Sequence, residues 1–88
     1  MRIMAWKISW SSEATRFLSK MEKTDARRLV KKIEDAAEDP RRYFSQLAGQ
    51  DDYKLRVGDH RILVLLLHAE TTIFIEKIGH RKNIYKKQ

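Results

Sequence analysis

The sequence of 88 residues contains no cysteine, one proline and three glycines. Without cysteine no disulfide can brace a small core, and no Cys/His cluster offers a structural zinc site. A reducing, cytoplasmic setting is therefore expected, with a core closed by apolar packing alone. Long apolar runs are missing too. The longest, from Ile62 to Leu67, falls far short of the about 20 residues that span a bilayer. The start, Met1-Arg-Ile-Met-Ala-Trp-Lys7, has no signal-peptide h-region. A chain this short, without repeats or a Gly/Ser linker, reads as one domain over residues 1–88.

Acidic side chains are the minority, 12 against 19 basic, for a net charge of +7. Residues 1–52 hold 11 basic and 9 acidic side chains, whereas residues 53–88 hold 8 and 3. A field of that sign favours polyanionic partners, and most of it comes from the C-terminal part. Chemistry of other kinds has little to stand on. There is no Gly-rich phosphate loop, no paired carboxylates at an obvious site, no Ser/His/Asp order and no metal-ligand spacing. Neither a metal nor a cofactor is implied.

The hydrophobic pattern supplies the elements. Met4, Trp6, Ile8 and Trp10 alternate with polar or small residues, the period of a half-buried strand. Ser11 or Ser12 can cap a helix carrying Glu13 in its first turn, with Ala14, Phe17, Leu18 and Met21 as its apolar stripe. Thr24 reads as the cap of a second helix, whose stripe is Ala26, Leu29, Val30, Ile33, Ala36 and Ala37 and which Pro40 stops. From Tyr53 the period returns to two. Residues 53–57 and 60–68 flank Gly58-Asp59, a two-residue type II′ hairpin turn, and a third strand runs from Thr72 to Ile78. The order β-α-α-β-β-β predicts an α+β fold. In it a two-helix hairpin packs on one face of a mainly antiparallel four-stranded sheet.

The hairpin carries the functional reading. With Gly58 and Asp59 as the loop, Val57 pairs with His60, Arg56 with Arg61, Leu55 with Ile62 and Lys54 with Leu63. One face then holds Tyr53, Leu55, Val57, Ile62, Val64 and Leu66, suited to packing under the helices. The other holds Lys54, Arg56 and Arg61 beside Leu63 and Leu65. Two arginines directly opposite each other destabilise a sheet by roughly 0.2–1 kcal/mol. Folding alone does not select that pair, and a bound polyanion offsets it. A single strand cation is ordinarily a solvated face or edge protection; the cluster is the signal.

A second group follows the last strand. Gly79 permits a bend there, and His80, Arg81 and Tyr85 lie within one short stretch that the strand end can carry to Arg61. Arg chelates phosphate, Tyr stacks on bases and His titrates near neutrality. The second helix shows a reversed charge order, with Arg27, Arg28, Lys31 and Lys32 early and Glu34, Asp35, Glu38 and Asp39 late. A solvated face and a docking patch for structured RNA both account for it. His60 and His68 read as strand-end residues, and Trp6 and Trp10 as core or sheet-edge packing.

Tyr53-Lys-Leu-Arg-Val-Gly-Asp-His-Arg-Ile-Leu-Val64 and Ile78-Gly-His-Arg-Lys-Asn-Ile-Tyr85, with Leu47 and Gly49 ahead of them, resemble the RelE/ParE toxin superfamily of toxin–antitoxin systems. The likeness extends over nearly the whole chain and is nearer to the RelE branch. It implies a ribosome-dependent endoribonuclease that cuts mRNA in the A site by attack of the 2′-OH on the scissile phosphate. Carried over, Lys54 starts the basic strand and is the candidate base. Arg56 contacts phosphate, and Arg61 and Arg81 stabilise the scissile phosphate. Tyr85 stacks on or orients the base, and Lys82 adds an RNA contact. Apart from the resemblance, the docking-patch reading of the second helix makes Arg27 and Lys31 RNA contacts as well. His80 stands where relatives also carry lysine and is the candidate proton donor, an assignment that the resemblance leaves open. The implied partners are a RelB-type antitoxin, the ribosome with its mRNA, and operator DNA through the antitoxin complex only. The rival readings are a ParE-like gyrase inhibitor, a nucleic-acid-binding module without catalysis, and an inactive homologue.

Overall fold

The computed structural model describes residues 5–47 and 52–80. Strand β1 (Lys7–Trp10) leads into helices α1 (Ser12–Ser19), α2 (Lys23–Ala36) and α3 (Pro40–Tyr43). Strands β2 (Ser45–Gln46), β3 (Asp52–Val57), β4 (His60–Leu67) and β5 (Thr72–His80) follow, with a 3-10 turn (His68–Glu70) between the last two. They form one sheet in the order β1-β5-β4-β3-β2. Strand β1 runs parallel to β5, and the other neighbours are antiparallel.

This is the expected α+β class with two corrections. The sheet has five strands instead of four, because Ser45 and Gln46 pair with Lys54 and Tyr53 at its edge. Pro40 also does more than stop a helix. Helix α2 has already ended at Ala36, and Pro40 opens the short α3, where its fixed φ suits a first helical position. A two-residue strand and a four-residue helix are too short to show a period.

Each helix start has a local cause. Ser11 accepts a hydrogen bond from the Ala14 amide at 2.9 Å and so caps α1. For α2 the extended residue is Glu22, with no side-chain capping bond, so Thr24 lies inside the helix instead of capping it. Leu29, Ile33 and Ala36 of α2 are buried, together with Ala37. They meet Ile62, Val64 and Leu66 of β4 and Ile73 and Ile75 of β5, all at most 1% exposed. Burying one such Val, Leu or Ile contributes about 1.5–3 kcal/mol. Trp6, Ile8 and Trp10 pack against this core from the β1 edge.

The central hairpin has the expected register: Val57 opposite His60, Arg56 opposite Arg61, Leu55 opposite Ile62, Lys54 opposite Leu63. Gly58 has φ +60°, and Thr71 is the only non-glycine with positive φ among the described residues. Asp59 is therefore on the negative side, which fits a II′ turn and not I′.

Strand β5 departs from expectation at two places. Leu63 pairs with Lys77 but Val64 pairs with Ile75, so Glu76 is an extra residue, a β-bulge. The strand also runs on through Gly79, opposite Arg61, to His80, opposite His60. No bend occurs at Gly79.

Candidate nucleic-acid interface

Because Ile62, Val64 and Leu66 face the helices, the odd-numbered residues of β4 face the other way, and their cross-strand partners share that side. The register lays this outer face down in rows across the sheet. Arg56, Arg61 and Gly79 make the first row. Lys54, Leu63 and Lys77 make the second. The third is Asp52, Leu65, Phe74 and Ser9, and Leu67, Thr72 and Lys7 close the face. Four cations thus occupy two adjacent rows at the hairpin end. Arg56 is exposed, while Lys54 and Arg61 are half-buried and the Arg61 Nε is fully covered. Gly79, opposite Arg61 on β5, is buried.

Lys54, Arg56 and Arg61 therefore share one surface. His80 does not. Its alternation with Gly79 turns it to the helix side, where its ring centroid lies 5.9 Å from that of His60. The His60 ring in turn meets the edge of Phe17 of α1, also at 5.9 Å. Met21, Asp25, Arg28, Val57, Asp59 and His60 line a recess of about 220 Å³ on that side. The sheet separates this recess from Arg61. Arg27 and Lys31 are on the exposed side of α2, across the molecule from the sheet's outer face. Lys31 pairs there with Asp35 at 3.2 Å, an ordinary exposed helix pair. Arg81, Lys82 and Tyr85 lie outside the described residues, as does Gly49.

Lys77 is a cation of this face that carries only a faint mark in the sequence. Its signal was the break in the apolar alternation of β5, where Ile73 and Ile75 are followed by Ile78 and not by residue 77. The bulge turns Lys77 outward, opposite Leu63. Next to it, burial first and the Asp52 carboxylate second push the Glu76 carboxyl above its ordinary range. Leu63, Phe74, Glu76 and Lys77 line a shallow cleft of about 440 Å³ with Ser11, Ser12 and Glu13. Among the described residues no group of three or more His, Cys, Asp or Glu side chains could hold a metal ion. None of the described helices is long and apolar enough to cross a membrane.

The fold is shared with solved structures of RelE toxins. The chain superposes on the toxin–antitoxin complex RelBE2 of Mycobacterium tuberculosis with a TM-score of 0.79 and 22% identity, covering 89% of this chain and 100% of that one. The archaeal RelE–RelB complex of Pyrococcus horikoshii gives 0.78 and 21%, covering 91% and 99%. The intact E. coli RelBE complex gives 0.74 and 21%, covering 86% and 96%. At such identities the likeness is one of fold. In sequence, residues 8–85 match the family described as the ParE toxin of the type II toxin–antitoxin system parDE. The chain belongs to this family and is a type II toxin of the RelE/ParE superfamily. No curated protein matches it in sequence.

Proposed function

We propose that this toxin is a ribosome-dependent endoribonuclease that cleaves mRNA in the A site and so inhibits translation in the cytoplasm. The observation that carries the proposal is the Arg56–Arg61 pair, set directly opposite each other beside Gly79. Two guanidinium groups directly opposite each other repel, and a phosphodiester bound between them is attracted by both.

In the proposed reaction the 2′-OH gives its proton to Lys54 and its oxygen attacks the adjacent phosphorus. The bond to the 5′ oxygen breaks, leaving a 2′,3′-cyclic phosphate and, once that oxygen takes up a proton, a free 5′-OH. Arg61, joined by Arg81 from the tail, stabilises the added negative charge of the transition state. Arg56 and Lys82 hold the backbone, and Tyr85 orients a base. The family match reaches residue 85 and so includes this tail. His80 is left out of the proton transfer, because its ring neighbours His60 and not Arg61. Arg27 and Lys31 are kept as contacts to ribosomal RNA only. With one lysine for acid–base work, the reaction depends on the ribosome to hold the mRNA in attack geometry. The RelB-bound state of the three relatives supports a RelB-type antitoxin as the partner, with operator DNA reached through it.

The ParE description of the family favours a second reading, inhibition of DNA gyrase without nuclease chemistry. One experiment divides the two. Purified toxin is added to translating ribosomes and mRNA 5′ ends are mapped, with a gyrase supercoiling assay in parallel. New 5′ ends at A-site positions support the nuclease. Intact mRNA with blocked supercoiling supports the gyrase inhibitor, and neither result leaves a nucleic-acid binder.

A further inference from the structure

Lys77 reaches the cationic face only because of the bulge at Glu76. In an unbroken strand, alternation from Ile73 and Ile75 would turn residue 77 toward the helices. With Glu76 inserted, Ile78 takes the inward position and Lys77 faces outward, two strands from Lys54 with Leu63 between them. The insertion is tightly held. The Ser11 hydroxyl donates to the Glu76 carbonyl at 2.7 Å, and the Ser11 amide donates to the Ile75 carbonyl at 2.9 Å. The residue that caps α1 thus also clamps the bulge. Bulges that re-aim a side chain cluster near functional sites.

Two carboxylates stand near Lys77, Glu13 and Glu76, and of the two only Glu13 is within ion-pair distance. Its ammonium is 3.9 Å from the Glu13 carboxylate, and the two side chains are 43% and 59% exposed. Such a pair is weak and screened by salt. Geometry along the strands offers a better reason for its outward position. Adjacent rows on this face are two residues apart, about 6.6–6.8 Å, comparable to the step between successive phosphates of an extended single strand. The apolar Leu63 side chain, half-buried between the lysines, leaves a surface for a ribose or the edge of a base.

We infer that Lys77, facing Lys54 across Leu63, binds the phosphate next to the one held by Arg56 and Arg61. Single-stranded RNA then runs along β3–β5, from the hairpin end toward Phe74. The inference rests on the reading of this face as an RNA site and adds a second phosphate subsite to it.

The test is binding of a non-cleavable 2′-O-methyl oligoribonucleotide to the full chain, followed by fluorescence anisotropy over a salt series. Lys77→Ala should weaken binding several-fold and reduce the salt slope by about 0.7, the loss of one single-strand phosphate contact. Lys77→Arg should keep both. Lys7→Ala, which removes the same charge from the far row of the same face, should leave the slope unchanged. Thermal unfolding checks that each variant is folded. If Arg61→Ala weakens binding while Lys77→Ala behaves like Lys7→Ala, the second subsite is overturned and the RNA site stands. If the unmodified protein does not bind the oligonucleotide, the RNA reading fails and the subsite with it. If Lys77→Ala weakens binding of purified antitoxin but not of RNA, Lys77 is a protein contact and the subsite is again overturned.

Discussion

The two sides of β4 are made from alternate residues of one strand, and they obey different rules. On the helix side Ile62, Val64 and Leu66 are at most 1% exposed, and each carries only carbon and hydrogen in its side chain. On the outer side Arg61, Leu63 and Leu65 are half-buried, with Arg56, Lys54 and Lys77 as cross-strand neighbours of the first two. The first set has the best composition for folding. The second set is a poor one, since it apposes like charges and leaves leucines partly wet. A surface that folding does not favour is the place to look for binding, and the strand separates the two tasks residue by residue.

That separation is broken if a substitution on one side behaves like one on the other. Arg61→Ala is expected to give the largest effect, and on activity alone. Loss of a group that stabilises transition-state charge costs roughly 10²–10³-fold in rate, measured here as A-site cleavage in a translation extract. Its fold should persist, because the buried core of Ile62, Val64 and Leu66 on the other side of the strand is untouched. Leu66→Ala should do the reverse. It should lower stability by about 2–5 kcal/mol in denaturant unfolding, while the fraction still folded cleaves normally. An Arg61→Ala protein that is unfolded, or one that retains full cleavage, ends the comparison.

Ser11 sharpens the comparison from the helix side. Its hydroxyl accepts from Ala14 and donates to Glu76, joining the α1 cap to the bulge that turns Lys77 outward. Ser11→Ala should cost about 1–2 kcal/mol, within the range for helix caps, and should also weaken RNA binding, although residue 11 has no charge. Ser11→Asp should restore the cap without the donor to Glu76. If the bulge is held through that bond, stability returns and RNA affinity does not.

The parts of this arrangement that were legible in the sequence share one property, a local device that fixes pairing. Gly58 and Asp59 set the hairpin register, and alternating apolar residues on both arms agree with it, so the apposition of Arg56 and Arg61 follows from sequence alone. Strand β5 has no such device. Its register depends on Ser11, 65 positions away from Glu76, and nothing local announces that contact. The bulge, and with it the orientation of Lys77, was legible only as a skipped apolar position. Gly79 misled in the opposite sense. Glycine is common in bends, but here it continues a strand beside Arg61, and that single residue decides the side on which His80 falls. Thr24 misled likewise, since the preference of threonine for caps gave way to a helix that starts at Lys23.

Glu76 gives the smallest effect. It is a carboxylate on the outer face, partly withdrawn from water and near Asp52 and Glu13, so folding raises its pKa. A raised carboxyl binds its proton more tightly in the folded state. Its contribution to stability is therefore intact below the ordinary value of 4.5 and is lost as pH rises through the folded value. Glu76→Gln keeps the shape without the charge. It should be more stable than the unmodified protein at pH 7, by a fraction of a kcal/mol once solvent screening is allowed for. Below about pH 4, where the unmodified carboxyl is protonated in both states, the advantage should vanish. Thermal unfolding of both proteins across that interval measures the difference. A constant offset at every pH would mean that packing and not charge distinguishes the two side chains, and the outer face would then follow the same rule as the inner one.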